Sequence, residues 1–312
     1  MANFPNLLPD EQLNKLLEEY ELPELENYLR DNQRPVVKLV RGAAGHAHVG
    51  HSRFGGFPDL PEDMQWPQTK DGEWMTLLAQ LNLAQLSAEI GSGNTSGTDI
   101  YRSLLPKKGM LYFFAGVDEP AYNVEHRVLY WSHEDVSRLT YREPEQTTVL
   151  EEEAEMNFRP FEVHAHAGVE FPNYAYSQVE ELEDEAITED TYDKYLGMTE
   201  EMNDDPQGSI GKMLGYPAEQ HGDAEFEAVM FRDIGKYTYR PADDRKRLVK
   251  YYDGDEQRVD QEIDDILMLL EIDSDAPIGF MWWDAGYIHF FISRQDLLEL
   301  NFDRTYCSIY SS

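Results

Sequence analysis

The spacing of apolar residues changes character several times along the chain. Leu13, Leu16, Leu17 and Tyr20 recur at helical intervals, and Pro9 and Asp10 stand where a helix would start. Pro23 interrupts that pattern, and Leu25, Tyr28 and Leu29 resume it as a second short helix ending at Arg30. Pro35-Val36-Val37-Lys38-Leu39-Val40 then reads as a strand. From Phe54 the apolar runs become short and are separated by Gly, Pro and Asp, a strand-and-turn texture. Residues 77–81, 110–114 and 127–131 are predicted strands, 147–150 a fourth, and 91–98 a Gly- and Ser-rich loop.

In 151–205, Val179, Leu182 and Ala186 fall on one face of a predicted helix, and 191–196 form a second short one. The rest of that stretch reads as solvated loop. After Pro206 the apolar runs return: 266–272 and 287–292 are strands, 294–300 a short closing helix, and 305–308 a last strand.

Three blocks occur in the same order in both halves. Gly56-Phe57-Pro58 matches Gly215-Tyr216-Pro217, residues 77–82 match 268–273, and Gly109 with the aromatic run behind it matches Gly286 with its own. The glycine ahead of each aromatic strand supplies a turn, and the two aromatic runs are placed to pack face to face. The expectation is an α+β fold: an internally duplicated module with antiparallel β-sheets, flanking short helices and an N-terminal helical segment. Its parts are the helical segment 1–34, a first copy 35–150, an acidic helical and loop insertion 151–205, and a second copy 206–312, packed with the first as one globular unit.

These residues also carry a resemblance. Ser52-Arg53-Phe54-Gly55-Gly56-Phe57-Pro58-Asp59-Leu60-Pro61, Trp66-Pro67 and Leu78-Ala79-Gln80-Leu81-Asn82 resemble the YwqG-like family of bacterial proteins of unknown function. Leu214-Gly215-Tyr216-Pro217, the run from Leu269 to Asp275, Asp284-Ala285-Gly286, Phe290-Phe291-Ile292, Asp296-Leu297 and Asn301-Phe302 extend the likeness to about residues 50–310. The resemblance implies an internally duplicated α+β fold with antiparallel sheets and supplies no catalytic residue. It also implies an immunity role against a secreted toxin. The chain departs from the family pattern at Glu271, where Gln is usual, and the acidic 151–205 segment looks like elaboration.

Composition changes the picture through charge. The 312 residues hold 61 acidic and 26 basic side chains, a net of −35. Residues 151–205 alone hold 18 acidic and 2 basic. Such a field repels nucleic acid and anionic lipid and speeds encounter with a basic protein partner, although acidity for solubility alone accounts for the same count. No run reaches the roughly 18 to 20 apolar residues of a membrane span, and the N-terminus lacks the basic and apolar regions of a signal peptide. With Cys307 as the only cysteine, an internal disulfide is excluded and the expected compartment is the cytoplasm.

Candidate chemistry is sparse. His46 and His48 would share a strand face with His51 opposite, and His164 with His166 form a second same-face pair. Neither pair fixes a third ligand, so loop histidines are the simpler reading and no cofactor or metal is expected. Asp253-x-Asp255 and Asp273-x-Asp275 lack the rest of a Ca²⁺ loop and read as turns. There is no nucleophile elbow and no phosphate-binding loop. Trp282 and Trp283 would face opposite ways on a strand, so that one of them stands in an acidic rim as a contact for a basic partner, while burial of both between sheet and helix is the simpler reading. The partner-binding candidates are therefore Glu180, Glu181, Glu183, Asp184, Glu185 and Trp282. Two functions stay open: a non-enzymatic protein-binding or immunity protein acting through its acidic surface, and an enzyme or small-molecule or metal binder with a site between the two repeats.

Overall fold

The structure, a computed structural model, describes residue 4 and residues 7–46, 48–91, 103–116, 122–173, 176, 187–203 (backbone alone at 203), 205, 207–218 and 224–311. Its helices are α1 (Asp10–Glu19), α2 (Glu26–Asp31), α3 (Leu83–Ile90), α4 (Val149–Glu153), α5 (Glu189–Asn203), α6 (Ala224–Val229), α7 (Pro241–Tyr251), α8 (Glu256–Asp264) and α9 (Arg294–Leu298). In the first half lie β1 (Arg34–Ala44), β2 (Arg53–Phe54), β3 (Asp59–Pro61), β4 (Thr76–Asn82), β5 (Met110–Ala115), β6 (His126–Trp131) and β7 (Leu139–Tyr141). The second half supplies β8 (Phe161–Glu170), β9 (Ser209–Leu214), β10 (Ile266–Asp273), β11 (Tyr287–Ser293) and β12 (Tyr306–Tyr310).

Ten strands form one antiparallel sheet in the order β12-β11-β10-β9-β1-β8-β2-β4-β5-β6, and β3 with β7 forms a small second sheet. The long strands β1 and β8 lie together at the centre, each carrying the shorter strands of the opposite half on its outer side. Beyond that centre the two flanks share several local features. The pairing of β4 with β5 skips Leu78, and that of β10 with β11 skips Leu269, the matching residue of the second block. Gly55 and Gly56 both have positive φ, and so do Leu214 and Gly215 at the corresponding turn. A Cβ on Gly109 would meet the Trp131 carbonyl at 2.3 Å, and one on Gly286 the Tyr310 carbonyl at 1.8 Å. Those contacts fix glycine before each aromatic strand.

The sheet curls until its ends meet. Tyr122, just ahead of β6, bridges to Ser308 of β12, and the Val124 N–H donates to the Cys307 carbonyl at 2.9 Å. Phe113 and Phe290, matching residues of the two aromatic runs, touch edge to face at 5.2 Å between ring centres. The main core fills the inner face and draws on both halves, from Leu39, Leu81 and Phe113 to Ile272, Phe290 and Ile309. Cys307 is buried there, and burial pushes its thiol well above the ordinary range. On the outer face, β3, β7 and Trp66 cover the first half, and α6, α7 and α8 cover the second. Helices α1, α2 and α5 form a separate lobe around Leu13, Leu17, Leu29, Phe171 and Tyr195.

Two expectations are corrected. Residues 149–153 form α4 rather than a strand. Thr148 stands at the N-cap position, and its hydroxyl donates to buried Glu151 at 2.7 Å, which in turn accepts the Phe158 N–H at 2.9 Å. That Thr-x-x-Glu spacing is a helix-start signal which outweighs the β-branched run. Residues 161–170, expected as loop, are the central strand β8; its alternation of Val163 and Ala165 with His164 and His166 is two-residue periodicity diluted by weak strand formers. The predicted 191–196 helix exists but extends over all of α5. The helix predicted through Val179, Leu182 and Ala186 lies outside the described residues.

Candidate functional site

The histidine pairs do not converge. Residues 46 and 48 fall in the loop after β1, where His46 Nε2 bonds to Asp59 Oδ1 at 2.9 Å and the His48 ring packs on His51 at 4.7 Å. On β8, His164 Nδ1 lies 3.3 Å from Glu89 and His166 Nε2 lies 2.9 Å from Asp205. Among the described residues no three His, Cys, Asp or Glu side chains are grouped to hold a metal.

Buried polar clusters sit at matching places in the two flanks. In the first, Arg53 pairs with Asp59 at 2.7 Å, and Asp59 also accepts from Gly50 N at 2.8 Å and Gln80 Nε2 at 2.9 Å. Burial by itself would raise the Asp59 carboxyl, but the Arg53 guanidinium, Gln80 and the Gly50 amide bring it below its ordinary range. In the second, Lys212 stands where Arg53 stands and Glu271 where Gln80 stands. Lys212 contacts both oxygens of Glu170 at 3.1 Å and Glu271 at 3.6 Å, while His289 Nε2 meets Glu271 at 2.9 Å. Burial opposes the charge on both, yet Glu170 and Glu271 hold Lys212 above its usual range, and Lys212 and His289 hold Glu271 below its own. The backbone bond is the same in each: Asp59 N to Gln80 Oε1 and Ala218 N to Glu271 Oε2, both 2.7 Å. The Glu271 departure thus comes with two cationic or proton-bearing neighbours. Arg53, Asp59, Gln80, Glu170, Glu271 and His289 are buried, and each cluster braces the turn whose backbone it binds.

Where the sheet ends meet, a cleft of about 610 Å³ opens between the two halves, lined among others by Lys70, Glu125, His126, Arg127, Asp303 and Thr305. His126 closes its floor, bonded through Nδ1 to the Val124 carbonyl at 2.7 Å and through Nε2 to Thr305 Oγ1 at 2.8 Å. Burial is the main influence on the imidazole and keeps it below its ordinary range. It joins β6 to the segment before β12 and presents no nucleophile.

A second groove, about 670 Å³, runs along the helical lobe between α1 with its following turn and α5. Pro23 contributes exposed apolar surface above buried Leu17, and Glu18, Glu21, Glu24, Glu26 and Asp190 contribute five exposed carboxylates against one ammonium in the lining, with Arg30 holding Glu26 at 2.9 Å from outside it. That ammonium, Lys194, is already held by Asp190 at 2.7 Å and Glu21 at 2.8 Å, which raise it above its usual range. Four of the five acids come from the N-terminal segment, where only helical periodicity stood out in the sequence. Glu180, Glu181, Glu183, Asp184 and Glu185 lie outside the described residues. Trp282 is corrected: it is 2% exposed, its ring 5.3 Å from Phe280, because the segment is a turn that directs it into the core. Trp283, at φ 51°, is the exposed neighbour, with 48% of its surface free. No helix among the described residues is long and apolar enough to cross a membrane.

Residues 52–310 match a family described as a domain of unknown function, DUF1963. No curated protein matches the sequence.

Proposed function

Since the chain belongs to the DUF1963 family, whose description assigns no chemistry, we propose from its own geometry that it is a non-enzymatic binding protein for a basic protein partner. The carrying observation is the groove on the helical lobe, where five carboxylates face solvent, with Asp190 and Glu21 holding Lys194 and Glu26 holding Arg30, so that acids outnumber the cations paired with them. A partner's lysine or arginine entering there meets a negative potential and the exposed ring of Pro23. The net charge of −35 adds long-range attraction that raises the encounter rate and is screened by salt. The duplicated sheet supplies the rigid support: the repeated turns, bulges and polar braces are what favour reading it as two copies of one module. On the YwqG-like resemblance the proposal extends to a cytoplasmic immunity protein with a toxin as the partner. Hydrogen exchange on the full chain with a lysine-rich peptide tests it. Slower exchange confined to α1, α2 and α5 supports the reading, and protection elsewhere or nowhere removes it.

The seam cleft favours a second reading, a small-molecule site between the halves. Lys70 and Arg127 set against Glu125 and Asp303 would suit a zwitterionic ligand. A thermal-shift panel of amino acids giving no stabilisation would leave the first reading alone.

A further inference from the structure

The seam where the sheet curls onto itself is closed along part of its length only. Residues 122–124 reach β12 through the bridge from Tyr122 to Ser308 and the bond from the Val124 N–H to the Cys307 carbonyl. Beyond them the chain opposite β6 is not a strand. Thr305 stands against His126, Phe302 packs on Tyr130 with ring centres 5.5 Å apart, and Phe302–Arg304 form a 3₁₀ turn. A strand in that place would have prolonged β12 and closed the seam. The turn leaves instead the cleft of about 610 Å³, lined by Phe302, Asp303 and Thr305 on one side and by residues 123–128 on the other.

The main-chain polar groups of a strand alternate between its two edges. The Gly116 N–H donates to the Glu125 carbonyl at 2.6 Å, and the register of β5 with β6 then runs unbroken from Ala115 opposite His126 to Met110 opposite Trp131. Glu125, Arg127, Leu129 and Trp131 therefore turn their N–H and C=O groups to β5, whereas Val124, His126, Val128 and Tyr130 turn theirs away from it. Val124 obeys this parity, since its N–H is the one that reaches Cys307. The His126 carbonyl has taken a substitute partner, Arg127 Nη1 at 2.7 Å. The outward N–H and C=O of Val128 have no partner among the described residues. The Val128 side chain belongs to the main core, so what this residue presents to the cleft is main chain.

Charged side chains frame this edge. Lys70, Arg127 and Asp303 are exposed and Glu125 is half-buried, and none of the four is in an ion pair among the described residues.

We propose that the seam cleft takes a short extended peptide with free ends, added to the sheet as a strand along the outer edge of β6. The Val128 N–H and C=O and the His126 N–H pair with its main chain, Lys70 and Arg127 take its carboxylate, and Glu125 and Asp303 take its ammonium. A single amino acid meets the charges but has no amide to offer Val128, and a purely anionic or cationic ligand satisfies only one pair of charges. The cleft volume falls in the range of pockets that hold ligands of this size. The proposal rests on the second reading for its place and adds to it the class of ligand. It is independent of the acidic groove on the helical lobe.

Calorimetric titration of the full chain with the tripeptide Ala-Val-Ala, with L-valine, and with the depsipeptide whose ester oxygen replaces the valine N–H tests this. The expected result is millimolar or tighter binding of the tripeptide, with L-valine and the depsipeptide each weaker by roughly tenfold or more. Amide exchange followed by NMR should slow at Val128 and His126 in the presence of the tripeptide. Arg127→Gln, a change at an exposed position, should weaken the tripeptide several-fold. L-valine or the depsipeptide binding as tightly as the tripeptide, or exchange unchanged at Val128, would overturn the proposal and leave the zwitterion reading standing. No binding of either the tripeptide or L-valine removes both.

Discussion

Asp59 is fully buried and holds Arg53, the Gly50 amide and Gln80 in one place. Asp59→Asn would leave the Arg53 guanidinium without its counter-charge, and a loss of about 3–5 kcal/mol is expected. Because the folded carboxyl lies below its ordinary 3.8, its contribution is complete above about pH 4 and is lost as pH falls through the folded value. Glu227 acts with the opposite sign. Its folded value near 8 exceeds the ordinary 4.5, so the folded state holds the extra proton and stability declines as pH rises from about 4.5 to about 8. Urea unfolding of Glu227→Gln across that window should show a flatter profile than wild type, and an unchanged slope would contradict the burial assigned to this carboxyl. At this scale the sequence was partly legible. Glu271 stood out as a departure, but Lys212 and His289 are its partners only through strand register, which no local pattern encodes.

Among the elements, the matched blocks predicted β4, β5, β10 and β11 because their apolar runs are buried on both faces. The glycines between them carry a second test. Gly109→Ala and Gly286→Ala each drive a methyl into a backbone carbonyl, and each should cost roughly 3 kcal/mol. Gly197 in α5 meets nothing within 4 Å, and Gly197→Ala should stabilise by about 1 kcal/mol through helix propensity. Melting curves of the three variants check both signs together. What the pattern missed is instructive in the same terms. Strand β8 is written in Ala, Gly and His and is held by pairing with β1 along its length, so tertiary contact and not propensity makes it a strand. Helix α4 was hidden by Thr147-Thr148-Val149, whose β-branched run gives way to a buried cap.

For the whole molecule, charge was legible in the sequence while its placement was not. Residues 151–205 drew attention because their acids are consecutive, yet the groove takes four carboxylates from the N-terminal segment and one from α5. The two segments meet because α1, α2 and α5 bury Leu13, Leu17, Leu29 and Tyr195 against one another, a contact between residues some 180 apart. The central claim is that this groove, and not acidity in general, receives a basic partner. Fluorescence anisotropy with a labelled lysine-rich peptide tests it on three proteins: wild type, a variant with Glu18, Glu21, Glu24, Glu26 and Asp190 changed to their amides, and a control with Glu143, Glu145, Glu152, Glu155 and Asp243 changed likewise. The control acids are exposed and lie away from the groove, so net charge falls equally. The account predicts affinity reduced at least tenfold by the groove substitutions, near wild type in the control, and a salt dependence that weakens only in the groove variant. Equal losses in the two variants would contradict it.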